Sequence, residues 1–279
     1  MSTGSVESNR NIAIHTDCIT KTFGKISALN NVSLDLDKGM SVALVGANGA
    51  GKTTFMKTIC GLSKPSAGRI SVLSRVPDLA SSKFVSSVAY LDQRHPLYEF
   101  FTVEDTIRFG AECNPNWNAD EASAALELFQ LSRDAKVKGL SGGQRAQLAL
   151  ILAMYKGSQI MLLDEPMASL DPLSRSLARD LVNRTRSQDS LLLISSHIIG
   201  ELQEMCDFLV LFSRGQVKLV GTFRELVSQW EDGDIVTTDA RRIPNSGNLS
   251  NDLEGLVNAI LLEERYVSAN VGPAAGGFE

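Results

Sequence analysis

The chain has 279 residues, 43% of them hydrophobic and 21% charged, and its 27 Lys and Arg against 32 Asp and Glu give a net charge of −5. That composition can bury one large core or a core plus a small appendage, and it excludes an overall basic surface for nucleic acid. Apolar stretches such as 148–154 and 191–194 fall far short of the roughly 20 residues that cross a bilayer, and the start, MSTGSVESNRN, lacks the apolar run of a secretory signal, so the expectation is a chain that stays in the cytoplasm.

Taken in order, residues 1–11 read as a flexible start. From Asn11 to Asp37, the alternation of Val32, Leu34 and Leu36 among turn residues predicts antiparallel strands. A short apolar strand, Ser41 to Val45, then runs into a glycine-rich turn and the helical pattern Thr53 to Cys60, a strand–loop–helix unit. Roughly Thr102 to Tyr155 predicts an inserted helical region, in which Asn118 ahead of Glu121 marks a capped helix through Leu131. The unbroken apolar runs Ile160 to Leu163 and Leu191 to Ile194 do not alternate with polar residues, which predicts parallel strands covered on both faces and hence an α/β core. Phe208 to Val220 reads as a hairpin turning at Arg214-Gly215. The main domain is expected to close near Trp230. In the extension, 231–279, Leu253, Leu256, Val257, Ile260 and Leu261 recur at helical spacing and predict one short helix packed back onto the body, followed by a disordered VSANVGPAAGGFE. Cys18, Cys60, Cys113 and Cys206 form no CxxC pair and read as buried free thiols.

Two motifs carry chemistry by their own residues. GANGAGKT, Gly46 to Thr53, stands between a strand and a helix and fits a phosphate-binding loop. Its glycines let successive N–H groups converge on phosphate oxygens, Lys52 would reach the β and γ phosphates, and Thr53 offers a hydroxyl to Mg²⁺. In MLLDEP, Asp164 at the end of a parallel strand would hold Mg²⁺ directly or through water, and Glu165 would polarise an attacking water. Two solvated acids ahead of Pro166 would look the same in isolation.

GLSGGQR, Gly139 to Arg145, makes the reading specific: it contains LSGGQ without a mismatch, and it is similar to the signature of the ATP-binding cassette (ABC) family. The resemblance spans about Ile12 to Trp230. It implies a P-loop NTPase fold with a mostly parallel core sheet, an N-terminal antiparallel β subdomain and a helical subdomain at about 94–155, with ATP and Mg²⁺ as cofactors. It also implies a nucleotide site built from Phe23 on the adenine, Gly46, Asn48, Gly49, Ala50, Gly51, Lys52, Thr53, Thr54, Gln93 of the Q-loop, Asp164 and the switch histidine His197. Ser141, Gly142, Gly143 and Gln144 would cover the γ phosphate held by a second subunit. Catalysis would fall to Glu165, His197, Lys52 and Gln93, and metal binding to Thr53, Gln93 and Asp164. Ser169-Leu170-Asp171 resembles the D-loop, although a helix cap would read the same.

Two positions depart from the family pattern: Phe23 where Tyr is commoner, and Asp92 before Gln93 where proline is. His15 and His95 have no motif around them. The implied activity is ATP hydrolysis driving transport by a separate membrane permease, in a homodimer or a pair with a different cassette, peripheral on the cytoplasmic face. Leu97, Tyr98, Phe100 and Phe101 in HPLYEFF would either dock that permease or fill a subdomain boundary. Similarity to compact bacterial exporter-type cassettes, including the PNW before Asn118, favours export of a drug, peptide or antibiotic. The alternative is a soluble ABC ATPase of the DNA-repair or translation type, but only about ninety residues without heptads separate P-loop and signature, and one cassette is present. No NKxD guanine motif supports a GTPase, and Glu165 and His197 oppose a non-hydrolysing regulatory subunit.

Overall fold

The computed structural model describes residues 11–233, 235–243 and 252–270; the segments 1–10 and 271–279 lie outside them. The chain opens on two long strands, β1 (Ile12–Phe23) and β2 (Ile26–Asp37), joined by a tight turn at Gly24. β3 (Ser41–Val45), buried along its whole length, runs into α1 (Lys52–Ile59). There follow β4 (Ala67–Val72), α2 (Ser82–Ser87), β5 (Val88–Leu91), α3 (Val103–Cys113), α4 (Ala119–Leu128) and α5 (Gly142–Met154). The rest is β6 (Ile160–Asp164), α6 (Pro172–Thr185), β7 (Leu191–Ser195), α7 (Ile199–Gln203), β8 (Phe208–Ser213), β9 (Gln216–Thr222), α8 (Phe223–Glu231), β10 (Ile235–Val236), β11 (Arg242–Ile243) and α9 (Leu253–Asn270).

Two sheets carry this architecture. The first is antiparallel, in the order β2-β1-β4; the second is a six-stranded sheet in the order β5-β6-β7-β3-β8-β9, parallel except for the β8–β9 hairpin. This is the expected α/β class with an antiparallel lobe ahead of a mostly parallel core. The absence of polar alternation in β3, β6 and β7 has a simple cause: both faces of the sheet are covered. Ala43, Leu192 and Ile194 point into one apolar cluster with α5, α6 and α8, while Val42, Leu44, Leu191 and Leu193 point into another under α1 and the antiparallel sheet.

Several boundaries move. Asn118 does cap α4 by accepting from the Glu121 N–H, but the helix stops at Leu128, three residues before the expected Leu131. Cys60 and Cys206 are buried, whereas Cys18 and Cys113 are exposed, because Cys18 sits at an irregularity of β1 with positive φ and Cys113 at the last turn of α3. Trp230 marks no break in the packing: it is 1% exposed and shares its cluster with Ile235, Ile243, Leu253, Leu256, Val257 and Ile260. The extension also holds a two-stranded hairpin, and its helix is longer than expected at 18 residues, running four residues into the segment read as disordered.

Candidate functional site

The carboxyl ends of β3, β6 and β7, neighbours in the sheet, point at one place. The turn after β3 wraps into the N-terminus of α1, where N–H groups and the helix dipole favour an anion. Its backbone needs glycine. Gly51 has φ 110°, and a Cβ there would meet the Ala28 carbonyl oxygen at 2.6 Å; Gly46, at φ 152°, lies just as close to the Phe212 carbonyl. The hairpin turn braces the loop from behind, with the Gly215 N–H donating to the Ala50 carbonyl at 2.8 Å and the Gly215 carbonyl accepting from Asn30 N–H at 2.8 Å.

Lys52 is 6% exposed, and its Nζ donates to the carbonyls of Gly46 (2.6 Å) and Ala47 (3.2 Å), two of its three donors. Burial pushes its pKa down, while the charges of Glu165 and Asp164 pull the other way.

Asp164 ends β6 almost fully buried. Its Oδ1 accepts from Ser195 Oγ at 2.7 Å, and its Oδ2 has no protein partner. A buried carboxylate oxygen left without a donor is costly unless something outside the protein's own bonds meets it. That orphaned oxygen fits a cation. Among the described residues no group of three His, Cys, Asp or Glu could hold a metal alone; Thr53 and Gln93 line a cleft whose lining does not include Asp164, and oxygen donors so few in number suit an ion such as Mg²⁺ that keeps most of its ligands from water or phosphate.

Glu165 has φ 48°, a left-handed conformation that a non-glycine residue adopts only when its surroundings force it. In that conformation its N–H donates to Ser195 Oγ at 2.9 Å. Its carboxylate, nearly buried, lies with Oε2 3.3 Å from Nδ1 of His197, whose ring is 60% exposed in the cleft. Ser195 therefore orients both acids, through the β6–β7 register that sets it beside Asp164. Sequence reasoning passed over it; the only signal was a serine beside the Ser-His step.

One cleft of about 1000 Å³ is lined by Phe23, the turn from Gly46 to Thr54, Gln93, Glu165 and His197. Phe23 is half-exposed, with Lys21 Nζ 5.0 Å from its ring centre. Gln93 follows an Asp92 that accepts from Lys57 Nζ at 2.9 Å, from the Tyr90 hydroxyl at 3.2 Å and from Arg94 N–H at 3.0 Å. Asp92 thus ties the loop to α1, in the place where the family more often has proline. Ser141, Gly142, Gly143 and Gln144 are not among the residues lining this cleft. They open α5, where the Ser141 hydroxyl accepts from Gln144 N–H and the Gln144 side chain accepts from Ser141 N–H. Asp171 caps α6 through Leu173 and Ser174. In the HPLYEFF segment, Leu97 and Phe101 pack on the core, while Tyr98 and Phe100 stay exposed.

The family model described as ABC transporter matches residues 29–168. A "Sulfate/thiosulfate import ATP-binding protein CysA" of Vibrio vulnificus is 30% identical over 226 residues, 77% of this chain and 65% of that protein, so the chain spans just under two thirds of it. A "Probable sulfate/thiosulfate import ATP-binding protein CysA" of Chlorella vulgaris is also 30% identical, over 77% of this chain and 93% of its own length. A solved structure described as an ATP binding subunit of an ABC transporter superposes with a TM-score of 0.71 at 26% identity, covering 78% of this chain and 93% of the other.

Proposed function

The chain belongs to the ABC transporter family, and from that premise we propose that it binds and hydrolyses ATP, that two cassettes close on two ATP molecules, and that the cycle drives a separate membrane permease. The observation that carries the reading is the convergence of Lys52, Thr53, Gln93, Glu165 and His197 on one cleft. The loop amides and Lys52 bind the phosphates, and Phe23 stacks on adenine. A magnesium ion held by Thr53, Gln93 and Asp164 would supply neutralisation of the phosphate charge. Glu165, fixed by Ser195, aligns the attacking water and takes up its proton, while His197 steadies the carboxylate and faces the γ phosphate. Completion of the cage by Ser141 requires a second subunit, because the signature turn does not line this chain's own cleft. A symmetric homodimer would hold two complete sites, and a heterodimer would serve equally.

Coupling to a permease is supported by the exposed Tyr98 and Phe100 beside the Gln93 loop and by the lack, among the described residues, of any helix long and apolar enough to cross a membrane. A subunit so placed would lie on the cytoplasmic face. Export of a drug, peptide or antibiotic is supported by the likeness of the helical region to exporter-type cassettes; the CysA relatives are named for import, so the direction is read by transport into or out of vesicles containing the co-purified permease.

Glu165→Gln should keep ATP binding, reduce phosphate release by a factor of about 100 or more and trap an ATP-dependent dimer on size exclusion. Turnover near that of the parent would sink the assignment of Glu165.

A further inference from the structure

The C-terminal helix shares the cleft. Glu254, Val257, Asn258 and Leu261 recur at i, i+3, i+4 and i+7, one stripe of a 3.6-residue helix, and all four line the same cleft as Lys52, Thr53, Glu165 and His197. Two attachments hold α9 there. The adjoining side of the helix, from Val257, which is itself almost fully buried, round to Leu253, Leu256 and Ile260, packs in the core against α7, α8 and β8. The hairpin ahead of it is fastened to β9 by Thr238 N–H donating to the Lys218 carbonyl at 2.8 Å and by Lys218 Nζ on Asp239 at 2.9 Å. In the lining set Lys52 is the single lysine against two glutamates, Glu165 and Glu254. Glu254 is exposed on the helix surface and borders the cleft, so it adds negative charge to the cleft as a whole.

We propose that α9 is part of the nucleotide site: Asn258 contacts the bound nucleotide, and Glu254 opposes its phosphates, more strongly the more charge they carry. The proposal rests on the reading of the cleft as an ATP site. If Glu254 served only the dipole of its own helix as a first-turn acid, its charge would leave nucleotide affinity untouched.

The test is calorimetric titration of the full chain with ATP and with ADP, in a Glu165→Gln background so that hydrolysis does not interfere. Glu254→Gln should bind ATP about threefold more tightly, ADP by a smaller factor, with both gains shrinking at high salt. Asn258→Ala should bind ATP about fivefold more weakly. Glu263→Gln, exposed on the same helix and outside the cleft lining, should titrate like the parent, and all three should melt like it. A variant at 254 or 258 that titrates like the parent overturns the role given to that residue. A Glu263→Gln gain equal to that of Glu254→Gln would reduce the effect to bulk charge and overturn the proposal. Should the parent itself bind neither nucleotide, the ATP-site reading fails along with it.

Discussion

Ser195 is the residue on which the acidic pair depends. Its hydroxyl donates to Asp164 Oδ1 and accepts from Glu165 N–H, so one oxygen holds a buried carboxylate and a backbone twisted to φ 48°. Ser195→Ala would leave a fully buried carboxylate oxygen without its donor, at a cost of about 1–3 kcal/mol. If Glu165 is the base proposed above, kcat should fall about tenfold or more, with the KM for ATP nearly unchanged because the phosphate loop keeps its contacts. Thermal melts and phosphate-release kinetics on one preparation check both parts. If melting temperature fell while kcat held, the serine would be a packing residue and no more. Lys52, by contrast, was legible from spacing alone. A lysine following a glycine turn between strand and helix is the pattern of a phosphate-binding loop, and the structure adds that the loop's own carbonyls engage it.

At the scale of elements, the strands and helices that bury a continuous face were readable, and those defined by partners were not. β3, β6 and β7 stood out as unbroken apolar runs, and α5 lay within the region read as helical. β10 and β11 have two residues each, too short for any period to declare itself. What builds that hairpin is a polar cluster: Lys218, its side chain 3% exposed, reaches Asp239, which also accepts from the Thr237 hydroxyl and pairs with Arg241. Burial alone would raise the Asp239 carboxyl, but the bonds from Thr237 and Lys218 and the nearby positive charges outweigh it and hold the group below its ordinary value. A carboxylate depressed in this way stabilises the fold above its unfolded pKa, near 4, and the contribution disappears as pH falls through the lower folded value. Asp239→Asn should therefore cost about 1 kcal/mol at neutral pH, discounted because the carboxylate is one-third exposed. The gap between urea melts of the two proteins should begin to narrow near pH 4 and close once pH has fallen through the lower folded value; a gap that persists undiminished in acid would remove charge as the cause.

For the whole molecule, the order of motifs carried the family and the site, because P-loop, signature, acidic pair and histidine each sit at a strand end or helix start that the sequence punctuates. In the extension the helix packed back onto the body was readable but its place was not: nothing in the spacing of Leu253 to Leu261 says which groove the helix will occupy, and a stripe facing a cleft reads the same as one facing solvent. Nor does spacing say that the signature turn lies away from its own chain's phosphate loop. That separation is a property of the assembled sheet and of the direction in which α5 leaves the helical region.

The brace behind the phosphate loop has one more consequence. The Gly215 amide is shut between the hairpin and the Ala50 carbonyl, while the same residue's oxygen is claimed by the Asn30 N–H, so its deuterium uptake is a clock wound by the loop. When a nucleotide stiffens that loop, the clock should slow, with the amides of β9 towards Lys218 slowing after it and those of β4 keeping time as before. Mass-spectrometric exchange with and without ATP reads the difference peptide by peptide, and an unaltered rate across 214–222 would mean that the hairpin does not feel what the loop holds.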